Sequence, residues 1–344
     1  MELSDVYMIV VFLAFALYIL LDGWDLGIGI MTLFERDERR REEMHELVAW
    51  TWDGNESWLV LVALGLWTGV PLVTGIALPA LYIPLMLMLW ALIARGVSLE
   101  VIDQYDGWPP FWGRLFGVGS LVAAFCQGAA FGGVVAGLPV AGESFDGGPF
   151  TFLHSGYAVL TGFTAVALYL LAGAAWLYLR TDGESRRRAA RTGRVAAVAL
   201  AAGTVASWLL AEAAGPVTLD PAAGARLPVW IAGAALLTGG LAFAVRSFST
   251  RPSSGRSDWS PVIGTLVAYG GGLMLALGLL YPTLVPPDIT VHGAASPHTT
   301  LVFVTIATAL IIPVILVYQT YAYRVFRGRV TVGRGATVGG GATP

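Results

Sequence analysis

The sequence predicts an all-α polytopic membrane protein of about nine transmembrane helices, and three observations carry that prediction. Charged residues occupy only 12% of the 344 positions, against 56% hydrophobic, where a soluble domain carries roughly 25% charged. Nine stretches are apolar and long enough, at roughly 20 residues each, to cross a hydrocarbon core about 30 Å thick. The 20 basic residues, all arginine, fall almost entirely into alternate connections between those stretches. A mean hydropathy of +0.71 agrees with a chain whose solvent is lipid.

The spans follow in order along the chain. The first, Val6–Phe34, comes after an acidic start, Met1–Asp5. That start has no positive region, and no small-residue cleavage site precedes a soluble body, so a retained helix is expected rather than a signal peptide. The second and third, Ser57–Ile76 and Ala77–Ala94, are expected to join at a tight turn around Ala77–Pro79. Leu115–Gly137 and Gly156–Leu179 follow. The sixth, Val195–Ala211, is short and alanine-rich, but an arginine-rich segment and Glu212 bracket it. Leu227–Val245, Pro261–Pro282 and Thr300–Tyr323 complete the set. One membrane domain therefore occupies residues 1–330, and 331–344 reads as a flexible tail. Trp58, Tyr82, Trp208, Tyr281 and Tyr323 lie near span ends, where interfacial anchors are expected. The small-residue runs Gly128–Gly137 and Gly233–Gly240 predict close helix–helix packing.

Arginines orient the bundle. The first, third, fifth, seventh and last connections hold nineteen of the twenty, including Arg36–Arg41, Arg95, Arg114, Arg186–Arg194 and Arg324. The alternate loops hold Arg226 alone. By the positive-inside rule the arginine side is cytoplasmic, which puts the N-terminus outside and the C-terminus in the cytoplasm. A missed or false span would scramble this partition.

Several function classes fall away. There is no soluble basic domain for nucleic acid, and Cys126 alone makes no disulfide or cysteine metal site. No phosphate loop, dinucleotide fingerprint or zinc-spaced cluster is present.

Ionisable groups inside apolar sequence carry more information, because an intramembrane acid costs roughly 2.5–3.5 kcal/mol and is a functional candidate by default. Asp22 and Asp25 lie within the first span, about 24 Å deep at 1.5 Å per residue, and their spacing puts them on one helix face. Gly23, Gly27 and Gly29 allow a close approach of another backbone. Asp53 and Glu56 repeat that spacing at the start of the second span, within Trp52-Asp-Gly-Asn-Glu-Ser-Trp58. Two readings fit them. An acid or Asn55 at a helix start caps free N–H groups; alternatively, two acid pairs at similar depth form a proton route or a cation site. Arg95 and Glu100 close the third span, where an interfacial ion pair is expected. The histidines, His45, His154, His292 and His298, all lie in loops or near span ends, so no haem ligand is expected.

At these residues a family resemblance emerges. Asp22-Gly-Trp-Asp-Leu-Gly-Ile-Gly29, then Trp52-Asp-Gly-Asn-Glu56 with Trp58-Leu59, resemble the paired signatures of subunit II of cytochrome bd ubiquinol oxidases. Arg95-Gly-Val97, Glu100, Gly119-Ser120, Gln127-Gly128 and Pro313 continue the pattern in order. Trp24 stands where phenylalanine is more usual, Ser57 where valine is, and Val101-Ile102 replaces an aromatic–arginine pair. The resemblance implies a multi-pass protein of a bacterial or archaeal plasma membrane, belonging to a terminal oxidase that oxidises quinol and reduces oxygen to water. It implies haem b and haem d on the partner, subunit I, with none bound here. Subunit II would support that partner and offer proton or oxygen access. It also matches Asp53 to a family aspartate at a proton-uptake route and Asp25 to the other motif acid. In related enzymes a structural quinone can occupy this subunit, and a small accessory subunit can join; neither is legible here. A proton-coupled secondary transporter is the alternative from another class, for which inverted repeats would speak; none is seen. A purely structural assembly subunit is the third reading.

Overall fold

The computed structural model describes residues 2–105, 108–153, 156–214, 227–249, 258–286 and 289–325. The expected tail 331–344, His154, Arg226 and the side chain of Glu212 lie outside the described residues.

The described chain is almost wholly helical. In order it forms α1 (Leu3–Thr32), α2 (Glu38–Glu46), α3 (Trp52–Gly69), α4 (Pro71–Ala80), α5 (Tyr82–Ile102) and α6 (Pro110–Val135). Then come α7 (Tyr157–Arg180), α8 (Gly183–Ala214), α9 (Leu227–Ser249), α10 (Ser260–Leu280), the short α11 (Val291–Ala294) and α12 (His298–Val325). Among the described residues, eight helices are long and apolar enough to cross a membrane, or nine if the bent pair α3–α4 is one span.

That pair corrects the expected second and third spans. The chain does not run straight from Ser57 to Ile76 and turn at Ala77–Pro79. It bends by 119° between α3 and α4, and breaks again at Leu81. Proline disfavours helical backbone in the residue before it, and Val70, which precedes Pro71, has φ −137° and ψ 66°. The 18 residues of α3 span about 27 Å, so α3 nearly crosses without α4. A second correction concerns the arginine-rich segment before the sixth span, which is helical from Gly183. Arginine is a good helix former, and Glu184 ties Arg187 at 2.9 Å and Arg188 at 3.4 Å across the first turns.

α1 is the hub, packing against α3, α6, α7, α10 and α12. Small residues permit this. A Cβ at Gly27 would overlap the Tyr169 carbonyl, and one at Gly173 the Gly27 backbone. The two runs read as packing faces do pack closely: Gly128 and Gly132 against Thr161 of α7, Gly233 and Gly240 against α10.

The connections sort to two ends. At one, Glu35 meets Arg40 and Arg188, Glu43 accepts from Ser185, His45 meets Asp103, and Arg186 meets Asp258. At the other, the α1 start, α4 and α11 pack with two short antiparallel hairpins, Val140–Ala141 with Ser144–Phe145 and Thr283–Val285 with Ile289–Thr290. Tyr82, Trp208 and Tyr281 are exposed as anchors should be. Trp58 is fully buried and Tyr323 is hydrogen-bonded inside; both were expected at the interface, and polar partners in the interior draw them in.

Candidate functional site

The site forms where α1, α3 and α5 meet. Arg95 has no exposed side-chain surface, and its Nη1 donates to Asp22 Oδ1 at 3.0 Å and to Glu56 Oε1 at 2.8 Å. Its Nη2 lies 3.9 Å from Asp25 Oδ2. The expectation of an interfacial Arg95–Glu100 pair is therefore overturned. Glu100 is exposed, and its carbonyl accepts from the Gln104 side chain at 3.3 Å. Arg95 is likewise no loop residue. It points into the bundle because three carboxylates there offset the cost of burying its charge, while Gly119 of α6 packs against Ala91 and Arg95 and closes that side.

Asn55, fully buried, ties Asp25 to a second polar group. Its Nδ2 donates to Asp25 Oδ2 at 2.7 Å and to the Leu21 carbonyl at 3.2 Å. Its Oδ1 accepts from Gln319 at 3.2 Å and from the Tyr323 hydroxyl at 3.3 Å. An indole N–H can only donate. Trp58 Nε1 therefore requires Gln319 Oε1 to face it, at 2.8 Å, and Gln319 Nε2 then faces Gly54 and Asn55. That single donor sets the direction of every hydrogen bond out to Asp25. Asn55 is no helix cap; the residue before α3 is Thr51, whose side chain makes no capping bond.

Asp53 stands apart. It lies exposed in the first turn of α3, where an acid suits the positive end of the helix, and its carbonyl accepts from Ser57 at 3.3 Å. Glu56, with its side chain 24% exposed, sits one turn further in. Burial thus rises from exposed Asp53 through half-buried Glu56 to Arg95, Asp22 and Asp25. Trp52 packs its ring over Gly96, 3.0 Å from where a Cβ would stand. Trp24 stacks on Trp176 with ring centroids 4.2 Å apart.

One guanidinium balances one of the three carboxylates around it. The remaining two need protons, hydrogen-bond donors or another cation in so dry a place. Among the described residues no three His, Cys, Asp or Glu side chains are placed to hold a metal ion; these carboxylates face the Arg95 guanidinium. The arrangement is suited to holding and passing protons.

The sequence reading missed Tyr18, Gln127, Tyr169, Gln319 and Tyr323 as members of this polar interior. Of the three glutamines in the chain, two, Gln127 and Gln319, stand inside apolar spans, a signal as informative as the acids.

Comparisons with known proteins place these residues in context. The sequence profile described as cytochrome bd terminal oxidase subunit II matches residues 3–326. The chain is 27% identical over 350 residues to the cytochrome bd ubiquinol oxidase subunit 2 of Bacillus subtilis, covering 96% of this chain and 97% of that one. It is also 27% identical over 343 residues to the cytochrome bd-I ubiquinol oxidase subunit 2 of Escherichia coli K12, covering 90% of each. In fold it resembles a chain of the bd oxidase from Geobacillus thermodenitrificans, with a TM-score of 0.70 at 16% identity over 95% of this chain and 99% of that chain.

Proposed function

From the premise that this chain belongs to the cytochrome bd terminal oxidase subunit II family, and so is a subunit of a quinol-oxidising, oxygen-reducing complex, we propose that it carries protons toward the oxygen-reducing centre through Asp53, Glu56 and the Arg95-bridged pair Asp22 and Asp25. The observation that carries this reading is the fully buried Arg95 holding carboxylates from two helices, with only Glu56 reaching toward solvent. Reduction of oxygen to water consumes protons, and a buried group with more carboxylates than cations is where protons can be held in transit. Asp53 collects at the exposed rim. Glu56, by turning between solvent and Arg95, hands inward. Asn55 and Gln319 hold Asp25 in a fixed direction.

Haems belong to complexes of this family. The described histidines of this chain are not placed to ligate one. His45 pairs with Asp103 and His292 with Glu2 and Asp5, and exposed His298 opens α12; none lies in the interior of a span. We place haem b and haem d on subunit I, the partner that this family implies. The chain's place is then the plasma membrane, with the arginine-bearing end in the cytoplasm.

In the assembled complex, Asp53→Asn is expected to slow oxygen consumption severalfold with haem content intact. Unchanged turnover across the pH range would reject the route. Joint loss of haem and subunit I would instead favour a purely structural reading, which the interlocking of α1, α3 and α5 by Arg95 also supports. Family membership sets the transporter alternative aside.

A further inference from the structure

We propose that Tyr18, held by Gln127 and Tyr169, is a positioning residue that presents a hydrogen-bond partner to Asp22 and follows its protonation state; this rests on the reading of Asp22 as a proton-carrying group. Three helices supply the chain; Tyr18 and Tyr169 are buried and Gln127 is half-buried. The Tyr169 hydroxyl of α7 donates to Gln127 Oε1 of α6 in a short contact. Gln127 Nε2 donates to the Tyr18 hydroxyl of α1 at 2.6 Å. Tyr18 precedes Asp22 by one turn of α1, and that spacing sets the two side chains next to each other on one helix face. Asp22 Oδ1 is taken by Arg95, whereas Oδ2 is buried and has no hydrogen-bond partner among the described residues.

A tyrosine hydroxyl has one hydrogen. Because Tyr18 accepts from Gln127, its hydrogen is free for Oδ2. The chain then runs from Tyr169 through Gln127 and Tyr18 to Asp22, the direction that an ionised carboxylate needs. A Gln127 amide turned by half a revolution reverses it. Tyr18 then donates to Gln127 Oε1, Gln127 Nε2 donates to Tyr169, and the Tyr18 oxygen accepts from a protonated Asp22. Both arrangements use the same heavy-atom positions. In the second, the Tyr169 hydrogen needs a new acceptor. The Tyr269 hydroxyl of α10, buried and unpartnered among the described residues, lies with the Tyr169 ring over Gly23. Only rotations are needed: two hydroxyls swing, one amide turns, and no proton travels along the chain. The Asn55–Gln319 network has no such freedom, because the Trp58 indole fixes its direction. Asp25 is thus held one way, while Asp22 has a partner that accommodates both of its states.

The test uses the whole complex with subunit I, at matched haem content, and compares Tyr18→Phe, Asp22→Asn and the double variant. Difference infrared spectra should show a protonated-carboxyl band that Asp22→Asn removes and Tyr18→Phe moves. Loss of one hydrogen bond, about 1 kcal/mol, should lower the turnover of Tyr18→Phe about fivefold. The double variant should lose no more than Asp22→Asn alone, because Tyr18 acts only through Asp22. Tyr169→Phe, which removes the distant donor, should move the same band less, and covers the case in which Tyr18→Phe does not assemble. Additive losses, or a band that neither phenylalanine variant moves, overturn the positioning role and leave the carboxylate route standing. Unchanged turnover in Asp22→Asn overturns the route and this inference with it.

Discussion

Arg95 is the residue on which the site depends most. Its guanidinium is planar and forked, so Nη1 and Nη2 reach different carboxylates at once. A lysine offers a point charge that cannot be shared in this way. Arg95→Leu leaves buried Asp22 and Asp25 and half-buried Glu56 without a cation, and breaking a buried pair by removing one partner costs about 3–5 kcal/mol. The expected outcome is loss of haem and of subunit I from the detergent-purified complex. Arg95→Lys should assemble, with a thermal midpoint between that of Arg95→Leu and the native complex. Equal thermal midpoints for native and leucine forms would show that the cluster contributes nothing to assembly. Glu100, the neighbour that the sequence offered as its partner, should tolerate Glu100→Gln with little effect.

At the scale of elements, α1 owes its central place to backbone contacts that admit no side chain. Where Gly27 crosses α7 the obstacle is the Tyr169 carbonyl and the Gly173 nitrogen, and helix backbone cannot give way as a side chain can. Overpacking costs about 1–3 kcal/mol, and Gly27→Ala should fall at the upper end, read as a drop in thermal midpoint with loss of assembled complex. At Gly270 of α10 no atom lies within 4 Å of the place a methyl group would take, so Gly270→Ala should be silent. If both behave alike, the α1–α7 crossing is not what sets stability. The same crossing matters for the site, because it holds Tyr169 of α7 beside Gly23, next to Asp22.

For the whole molecule, the end that gathers the arginine loops is tied by Glu35. Burial pushes this acid up, but hydrogen bonds from Arg40 and from the backbone of Asp37 and Arg36, with the Arg40 charge, outweigh it and hold Glu35 at about 2. An acid held below its ordinary value, here 4.5, contributes stability that is complete above that value. The contribution is lost as pH falls from about 4.5 toward about 2. Arg40, whose side chain is 20% exposed, is partly screened by solvent, so about 1–2 kcal/mol is a reasonable scale. Glu35→Gln should lower the thermal midpoint at neutral pH and flatten its fall through that acid window; an unchanged acid slope would deny Glu35 this role. On the opposite scale of contact, α12 buries only Leu301 and Gln319, and so presents most of its surface to lipid or to a partner. Purification in mild detergent should bring the chain out with a haem-bearing polypeptide and a visible absorption spectrum. A colourless preparation of this chain alone would contradict its place in the oxidase.

The sequence by itself determined the solvent, the number of spans to within one and the sorting of arginines to alternate connections. Each follows from hydropathy and charge summed along the chain, which no tertiary contact changes. It also singled out Asp22, Asp25, Asp53, Glu56 and Arg95, because charge in apolar sequence is costly wherever it lies. The bend at Val70 was legible in the pre-proline position, though the apolar run masked it. Only the tertiary structure decided which acid faces which cation. Arg95 follows Asp22 by 73 positions, and Gln319 follows Asn55 by 264, and periodicity along one helix carries no information about the rotation of another around its axis. For the same reason Glu100 stayed outside and Trp58 came in. Hydrogen-bond direction, set at Asp25 by one indole and left reversible at Asp22, exists only once the helices have met.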